Sequence, residues 1–466
     1  MDFNANEQQK TENTQNESVL DERLQTRQYV AITFLFTALA ALLTFLLTYV
    51  FLTSSHREEK DTMYSQLVGQ MNQQLSEAIK PYQEFDSVIQ MYNSLPAELR
   101  NIAMYEKLAE IDLYYRTHYA GEINADDLVY MVANGYIVGA GDRFGGYYTA
   151  DEFKTIMSDV DGNTVGIGVY VTADMEIDGI RISYVMKDGP ANKVGLLPGD
   201  IITHVDGQAV AELGYYTALE LVKGEIGTEV VVTVLRQGKE LTKTLVRDRI
   251  NVESVIYTKH ETDQSVGIIR VIEFSNSTSQ QFIDAVKTAI NEGCTNIVYD
   301  LRGNPGGTLT SVVEMLDFLL PQGKIVTVRY AGAGEVDVYY SDTEGEELSN
   351  YVENKDIKMA ILVNGATASA AELFTSTLSD YGVATVVGTK TYGKGCGQSI
   401  IQLSDGTGLA FTTFMYDPPV RPNYNGIGIT PDVIQEMSEE ASQKNIFELS
   451  HNEDDQLKAA LEALKK

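Results

Sequence analysis

The sequence predicts a modular chain built around an α/β core. Three observations carry this. An uncharged apolar run near the amino end is long enough to cross a bilayer. Residues 163–250 alternate short apolar runs with Gly and Asp turns, and from residue 251 strand-like and helix-like segments alternate. The 466 residues allow roughly two to four domains. An apolar share of 44% is enough to bury cores, which excludes wholesale disorder. The formal net charge of −31 argues against nucleic acid as a partner, because phosphate binding needs a basic face. Cys294 and Cys396 are the only cysteines, too few for a disulfide framework and suited to no zinc site. A bridge between them is the most that could form, and two free thiols are the simpler reading.

Residues 1–27 are polar and without apolar period, so a disordered tail is expected there. The run from Tyr29 to Leu52 carries no charge, and residues 28–53 are read as one transmembrane helix. At about 1.5 Å per residue it spans a hydrocarbon core of about 30 Å, with Tyr29 and Tyr49 near its ends. It is too long and begins too late for a signal peptide, so a retained anchor is expected. Arg23 and Arg27 on one side nearly balance Arg57 and Lys60 on the other, which leaves the orientation open. Residues 54–160 read as a helical region. MYSQLVGQMNQQLSEAIK and AELRNIAMYEKLAEIDLYY repeat apolar residues every three or four positions. Such stripes face a core or self-associate, and a homodimer through them is one option.

Within 163–250, IRISYVM and EVVVTVLRQ have strand character. Gly166-Ile167-Gly168-Val169 precedes a strand, and GPANKVGLLPGDIITHVDGQAV runs from Gly189 to Val210. Together these resemble a PDZ domain across residues 163–250. The resemblance implies binding of protein or peptide carboxyl termini. Backbone amides of the Gly166–Val169 loop would converge on the terminal carboxylate, and the peptide would add as a strand to a sheet edge. Gly189, Gly195 and Gly199 read as turn and packing positions.

Residues 251–437 follow an α/β pattern. VGIIRV reads as a strand, SQQFIDAVKTAINEG as a helix ended by Gly293, and NIVYDL as a buried strand. That strand runs into Asp300-Leu301-Arg302-Gly303-Asn304-Pro305-Gly306-Gly307, then a helix, TLTSVVEMLDFLL. MAILVNG and SAAELFTSTLSDYG follow as strand and helix, and residues 438–466 end in the helical stretch DDQLKAALEAL. GNPGG is neither GxGxxG nor a P-loop, so a phosphate site is weakly supported, and its amides suit an oxyanion instead. Ser369 and Glu372 form S-x-x-E, the signature of a helix capping box. Ser369 is a nucleophile only if a base attends it. None of His56, His118, His204, His260 and His451 lies in a motif near it, and no GxSxG is present, so a Ser–His–Asp site is poorly supported. A lysine serves if desolvation lowers its pKa. Lys394, between Gly393 and Gly395, is the candidate, whereas Lys390 reads as an ordinary surface charge. On the residues alone, capping and catalysis both stay open for Ser369.

Residues 361–398 resemble the core of the carboxyl-terminal processing peptidases, also called tail-specific proteases. That pattern runs N-x-x-[ST]-A-S-A-[SA]-E, then D-[YF]-G, then V-G-x-x-[ST]-[FY]-G-K-G-x-x-Q. Ser369 and Lys394 stand 25 positions apart, as it requires. DLRGNPGG, the GDRFGGYYT segment from Gly141 to Thr149, and NGIGITPD from Asn425 to Asp432 extend the likeness over about residues 65–466. Arg143 and Gly145 depart from it, standing where Pro and Ser are usual. The resemblance implies a peptidase core of the crotonase/ClpP-like ββα type. It implies Ser369 as nucleophile, Lys394 as general base and Gln398 as the group orienting the lysine. Ala370 and one of Gly303, Gly306 and Gly307 would supply the oxyanion amides, and neither metal nor other cofactor is needed. It also implies a membrane-anchored serine endopeptidase acting through an acyl-enzyme outside the cytoplasm, with residues 1–27 inside. A catalytically inactive PDZ scaffold and a hydratase or CoA-type enzyme are the competing readings. The intact set of Ser369, Lys394 and Gln398 argues against the first, and the PDZ-like segment with the Ser–Lys pair against the second.

Overall fold

The structure, a computed structural model, describes residues 90, 92, 94 and 100–465, apart from 175, 332, 333, 335 and 342–356. The tail expected at 1–27, the transmembrane helix at 28–53 and the helical stretch at 63–80 lie outside the described residues. Among the described residues, no helix is long and apolar enough to cross a membrane.

The chain divides into two compact units, 1–119 and 120–466. In the first, helix α1 (Ile102–His118) starts at Asn101, whose side chain accepts the Met104 N–H. In the second, α2 (Ala125–Ala140) stops at Gly141, which takes a left-handed φ of 79°. Strand β1 (Gly146–Tyr148) follows, then α3 (Ala150–Val160), opened by a Thr149–Glu152 capping box. Here the structure corrects the helical region expected to run through residue 160. β1 pairs antiparallel with residues 408–410, so the GDRFGGYYT segment belongs to the peptidase body. The physical reason is local: Gly141 ends α2, and the strand Gly146–Tyr148 intervenes before Thr149 opens the next helix.

The module resembling a PDZ domain contains β2 (Asn163–Gly166), β3 (Val169–Asp174), β4 (Gly179–Val185), β5 (Ile201–Val205), β6 (Gln208–Ala209), α4 (Tyr215–Val222), β7 (Glu229–Arg236), β8 (Lys239–Val246) and β9 (Asp248–Asn251). Its main sheet has the order β3–β4–β5–β7–β8, with β6 beside β5, and β2 pairs β9. Ile180, Ile182, Ile202, Val230, Val232 and Val234 fill its core by strand alternation. Asp200, buried in the GLLPGD turn, takes Arg236 Nε and Nη2 at 2.6 Å each. β3 is an edge strand, so one of its sides is open to a further strand.

The peptidase region contains β10 (Val255–Lys259), β11 (Val266–Val271), α5 (Thr278–Asn291), β12 (Asn296–Asp300), α6 (Leu309–Leu319), β13 (Gly323–Tyr330), β14 (Val336–Ser341), β15 (Lys358–Val363), α7 (Ala370–Asp380), β16 (Ala384–Gly388), β17 (Cys396–Gln402), β18 (Gly408–Asp417), β19 (Val433–Ile434) and α8 (Asp455–Leu464). A six-stranded sheet runs β10–β11–β12–β15–β16–β19, parallel except for β10. Both faces are covered, which is why its strands read as near-continuous apolar runs. Ile269, Ile297, Tyr299 and Ile361 pack in the larger core with α5, α6 and α7. Ile268, Val298, Ala360 and Leu362 pack with Leu457, Ala460 and Leu464 of α8. The carboxyl-terminal helix is therefore part of this core. Full burial of a leucine side chain contributes about 1.5–3 kcal/mol, so Leu457 and Leu464 hold α8 firmly. A second, antiparallel sheet has the order β1–β18–β13–β14, with β17 along β18. Lys394 lies just before β17 of this sheet, as Ser369 follows β15 of the first.

Candidate active site

The polypeptide leaves β15 at Val363 and turns sharply into α7 with Ser369 at the corner. Thr367 Oγ1 donates to the Leu301 carbonyl at 2.8 Å, and Ala368 N–H donates to the Asn304 carbonyl at 3.0 Å. Ser369 has φ 56° and ψ −121°, a region that side-chain-bearing residues avoid, and it is 9% exposed. Such strain costs on the order of 1–3 kcal/mol and persists only where the surroundings hold it. The result is a strand-to-helix elbow without GxSxG, with Thr367 and Ala371 at the positions of that motif's two glycines. The capping pair read from S-x-x-E forms, since the Glu372 carboxylate accepts Ser369 N–H at 3.0 Å.

Glu372 does more than cap. It is fully buried, and its other partners come from the base segment. Oε2 also accepts Lys394 N–H at 2.8 Å, while Oε1 accepts Gly393 N–H at 2.7 Å and the Thr391 hydroxyl at 2.5 Å. One carboxylate thus ties the main chain of Ser369 to that of Lys394. The sequence signal was an acid alone within the otherwise uncharged run from Ala366 to Ser379.

Lys394 Nζ donates to Gln398 Oε1 at 2.8 Å and lies 4.7 Å from the centre of the Phe144 ring. Burial pushes its pKa below the ordinary lysine value, opposed by the nearby Cys396 and Asp142. Nζ makes no hydrogen bond to Ser369 Oγ. The neighbour of that hydroxyl is Tyr416 Oη at 3.3 Å, and Tyr416 also donates to the Lys394 carbonyl at 2.6 Å. Catalytic hydrogen bonds commonly close only once substrate is bound. The GDRFGGYYT segment borders the base. Phe144 underlies Lys394, and Arg143 Nη2 donates to Tyr392 Oη at 3.0 Å. A Cβ on Gly145 would meet Ile137 Cγ2 at 2.8 Å and Asp142 Oδ2 at 2.9 Å, so glycine fits where the family pattern has serine.

The three candidate glycines of the oxyanion loop separate. Gly303 N–H donates to Asn364 Oδ1 at 3.0 Å, and Gly306 N–H donates to Asn304 Oδ1 at 2.8 Å. Among the described residues, Gly307 N–H and Ala370 N–H have no protein acceptor. Gly306 packs directly behind Ser369, where a Cβ would stand 2.6 Å from Ser369 Cβ. Below the loop, Arg302 Nη2 donates to Asp300 Oδ2 and to Asp454 Oδ2, both at 2.7 Å. Burial alone would raise the Asp300 pKa, but Arg302 and Arg270 outweigh it and hold that carboxyl far below its ordinary range. Asp454 caps α8, so the carboxyl-terminal helix braces the oxyanion loop.

Residues 265–435 match the model of peptidase family S41, and residues 164–266 match that of the PDZ domain. The chain carries an S41 peptidase domain. A probable CtpA-like serine protease of Staphylococcus saprophyticus is 34% identical over 332 residues, which is 70% of this chain and 65% of that protein. One from Staphylococcus aureus is 35% identical over 339 residues, 72% of this chain and 64% of that protein. The chain therefore spans slightly less than two thirds of these relatives' length. Among solved structures, the photosystem II D1 C-terminal processing protease has 25% identity, covers 70% of this chain and 86% of its own, and has a TM-score of 0.43.

Upstream of the S41 domain, the PDZ loop places Gly166–Val169 between β2 and β3. The Ile167 carbonyl accepts Ala191 N–H at 2.8 Å, and the Gly168 carbonyl accepts Met186 N–H at 3.0 Å. The Ile167 and Gly168 amides donate to no protein group among the described residues. They sit at the start of the open β3 edge. Cys294 and Cys396 are both buried free thiols, as the simpler reading of the sequence had it.

Proposed function

We propose that this chain is a serine endopeptidase of the carboxyl-terminal processing kind, binding protein tails at its PDZ domain and cleaving them at Ser369. The observation that carries the reading is Glu372, which ties the strained Ser369 elbow to the segment bearing the desolvated Lys394. Neutral Lys394 Nζ takes the Ser369 proton as Oγ attacks the scissile carbonyl. The oxyanion forms against the free amides of Gly307 and Ala370, at the positive end of α7. Lys394 then passes the proton to the leaving amine, and water hydrolyses the Ser369 ester by the reverse route. Gln398 holds the lysine in place through its Oε1.

In this proposal the tail's terminal carboxylate takes the Ile167 and Gly168 amides, and its backbone extends along β3. Residues 28–53 anchor the protein in the cell membrane as a single span, with the peptidase outside the cytoplasm. The uncharged run at Tyr29–Leu52 supports this anchor. The test is cleavage of a peptide with an apolar carboxyl terminus, supplied with a free or an amidated end. Wild type should cut the free-ended peptide, with amidation raising KM. Ser369→Ala and Lys394→Ala should abolish cleavage, and unchanged cutting by both variants would overturn the reading.

A further inference from the structure

Behind Gln398 a chain of hydrogen bonds leads to a residue far away in sequence. Gln398 stands directly opposite Thr412 across the β17–β18 pair, just after an irregularity between Gly397 and Gln398. Cross-strand partners of this kind share a face of the sheet. Gln398 Nε2 lies 3.5 Å from Thr412 Oγ1, with Cys396 Sγ farther off at 4.0 Å. Thr412 is in turn clamped by Asp142. Its hydroxyl donates to Asp142 Oδ1 at 2.8 Å, and its N–H donates to Oδ2 at 2.7 Å. Asp142 belongs to the segment that adds β1 to β18 and places Phe144 under Lys394.

The polarity of this chain is set from its far end. An ionised carboxylate only accepts, so the single Thr412 hydroxyl proton points at Asp142. The lone pairs of Thr412 Oγ1 then face Gln398 and require a donor there, which is Nε2. The carbonyl end of the Gln398 amide is thereby turned toward Lys394. Were the amide reversed, Nε2 would donate to the lone pair of neutral Lys394 and block the proton it must accept from Ser369. Hydrogen bonds in Asp142's favour outweigh its burial and hold the carboxyl below its ordinary pKa, consistent with an ionised acceptor.

We infer that Asp142 and Thr412 are positioning residues that fix the direction of the Gln398 amide and so keep the Lys394 lone pair free for Ser369. The inference rests on the Ser369–Lys394 peptidase reading and deepens it. Neither residue touches the reacting atoms. Both set the amide through Gln398, and Asp142 adds the charge that partly opposes the lowering of the Lys394 pKa.

The test is a double-mutant cycle in the full chain, with the apolar-tailed peptide as substrate. Thr412→Val should lower kcat roughly ten- to a hundredfold with KM within about twofold, since misaimed catalytic groups cost this much. Thr412→Ser, which keeps the hydroxyl, should restore kcat. In a Gln398→Ala background, Thr412→Val should cost nothing further, because the group it orients is gone. An unchanged kcat for Thr412→Val, or the same loss repeated without Gln398, would overturn the inference while leaving the peptidase reading intact. A wild type that cuts no peptide, or a Ser369→Ala variant that still does, would overturn both.

Discussion

Two glycine loops in this molecule carry backbone amides with no protein acceptor among the described residues, and they differ in what stands beside them. At Gly306–Gly307 the loop abuts the strained Ser369, and two of its three candidate amides are spent on Asn304 and Asn364. At Gly166–Val169 the amides of Ile167 and Gly168 are free, and the neighbour is the open edge of β3. The first loop is braced by buried charge, through Arg302, Asp300 and Asp454. The second rests on apolar packing around Ile167. In the proposed function the same backbone device would serve a transient oxyanion where a nucleophile and a base are held against it, and a permanent carboxylate where they are not.

This contrast can be broken or sharpened by substitution. The largest effect belongs to Lys394→Met, which should lower kcat by on the order of 10⁴-fold or more while leaving tail affinity unchanged. Loss of tail binding in that variant, measured by fluorescence anisotropy, would erase the distinction between the loops. Next is Gly306→Ala. A Cβ there would stand 2.6 Å from Ser369 Cβ and 2.9 Å from Ala370 N, at a φ of 100°. Steady-state kinetics should show kcat down roughly a hundredfold with tail affinity intact. Gly168→Val is the mirror experiment, because Gly168 has φ 76°. KM for the free-ended peptide should rise about tenfold, equivalent to about 1.4 kcal/mol, with kcat for the amidated peptide unchanged. The smallest effect is electrostatic. Burial lowers the Lys394 pKa and Asp142 partly opposes it, so kcat/KM rises with pH as Lys394 loses its proton. Asp142→Asn removes the opposing charge and should move that rising limb to lower pH, a shift separate from the fall in kcat expected when the Thr412–Gln398 chain loses its carboxylate. A shift to higher pH would contradict the arrangement.

How much of this was legible in the sequence follows from how each residue reaches the site. Ser369, Lys394 and Gln398 lie in one short stretch whose spacing carries a pattern, so they could be singled out as candidates. The elbow at Ser369 could not, because Thr367 and Ala371 stand where GxSxG has its glycines, and the turn is held by bonds from Thr367 to Leu301 and from Ala368 to Asn304. Glu372 was visible only as a cap, since its three bonds to residues 391–394 depend on folding. Asp142 and Thr412 meet across 270 positions and Asp454 reaches Arg302 across 152, distances over which a single sequence shows no pairing. The parallel sheet was readable from its apolar runs. The second sheet was not, because β17 and β18 mix threonines, glutamines and half-buried apolar residues on both faces.

The central claim is that Ser369 becomes acylated by the substrate. Rapid quenching of the wild-type chain with the apolar-tailed peptide, followed by peptide mapping by mass spectrometry, tests it directly. The account predicts an ester of the amino-terminal substrate fragment on Ser369, present in wild type and missing in Ser369→Ala. Cleavage that proceeds at the wild-type rate in Ser369→Ala, with no adduct on Ser369 in either protein, would contradict it.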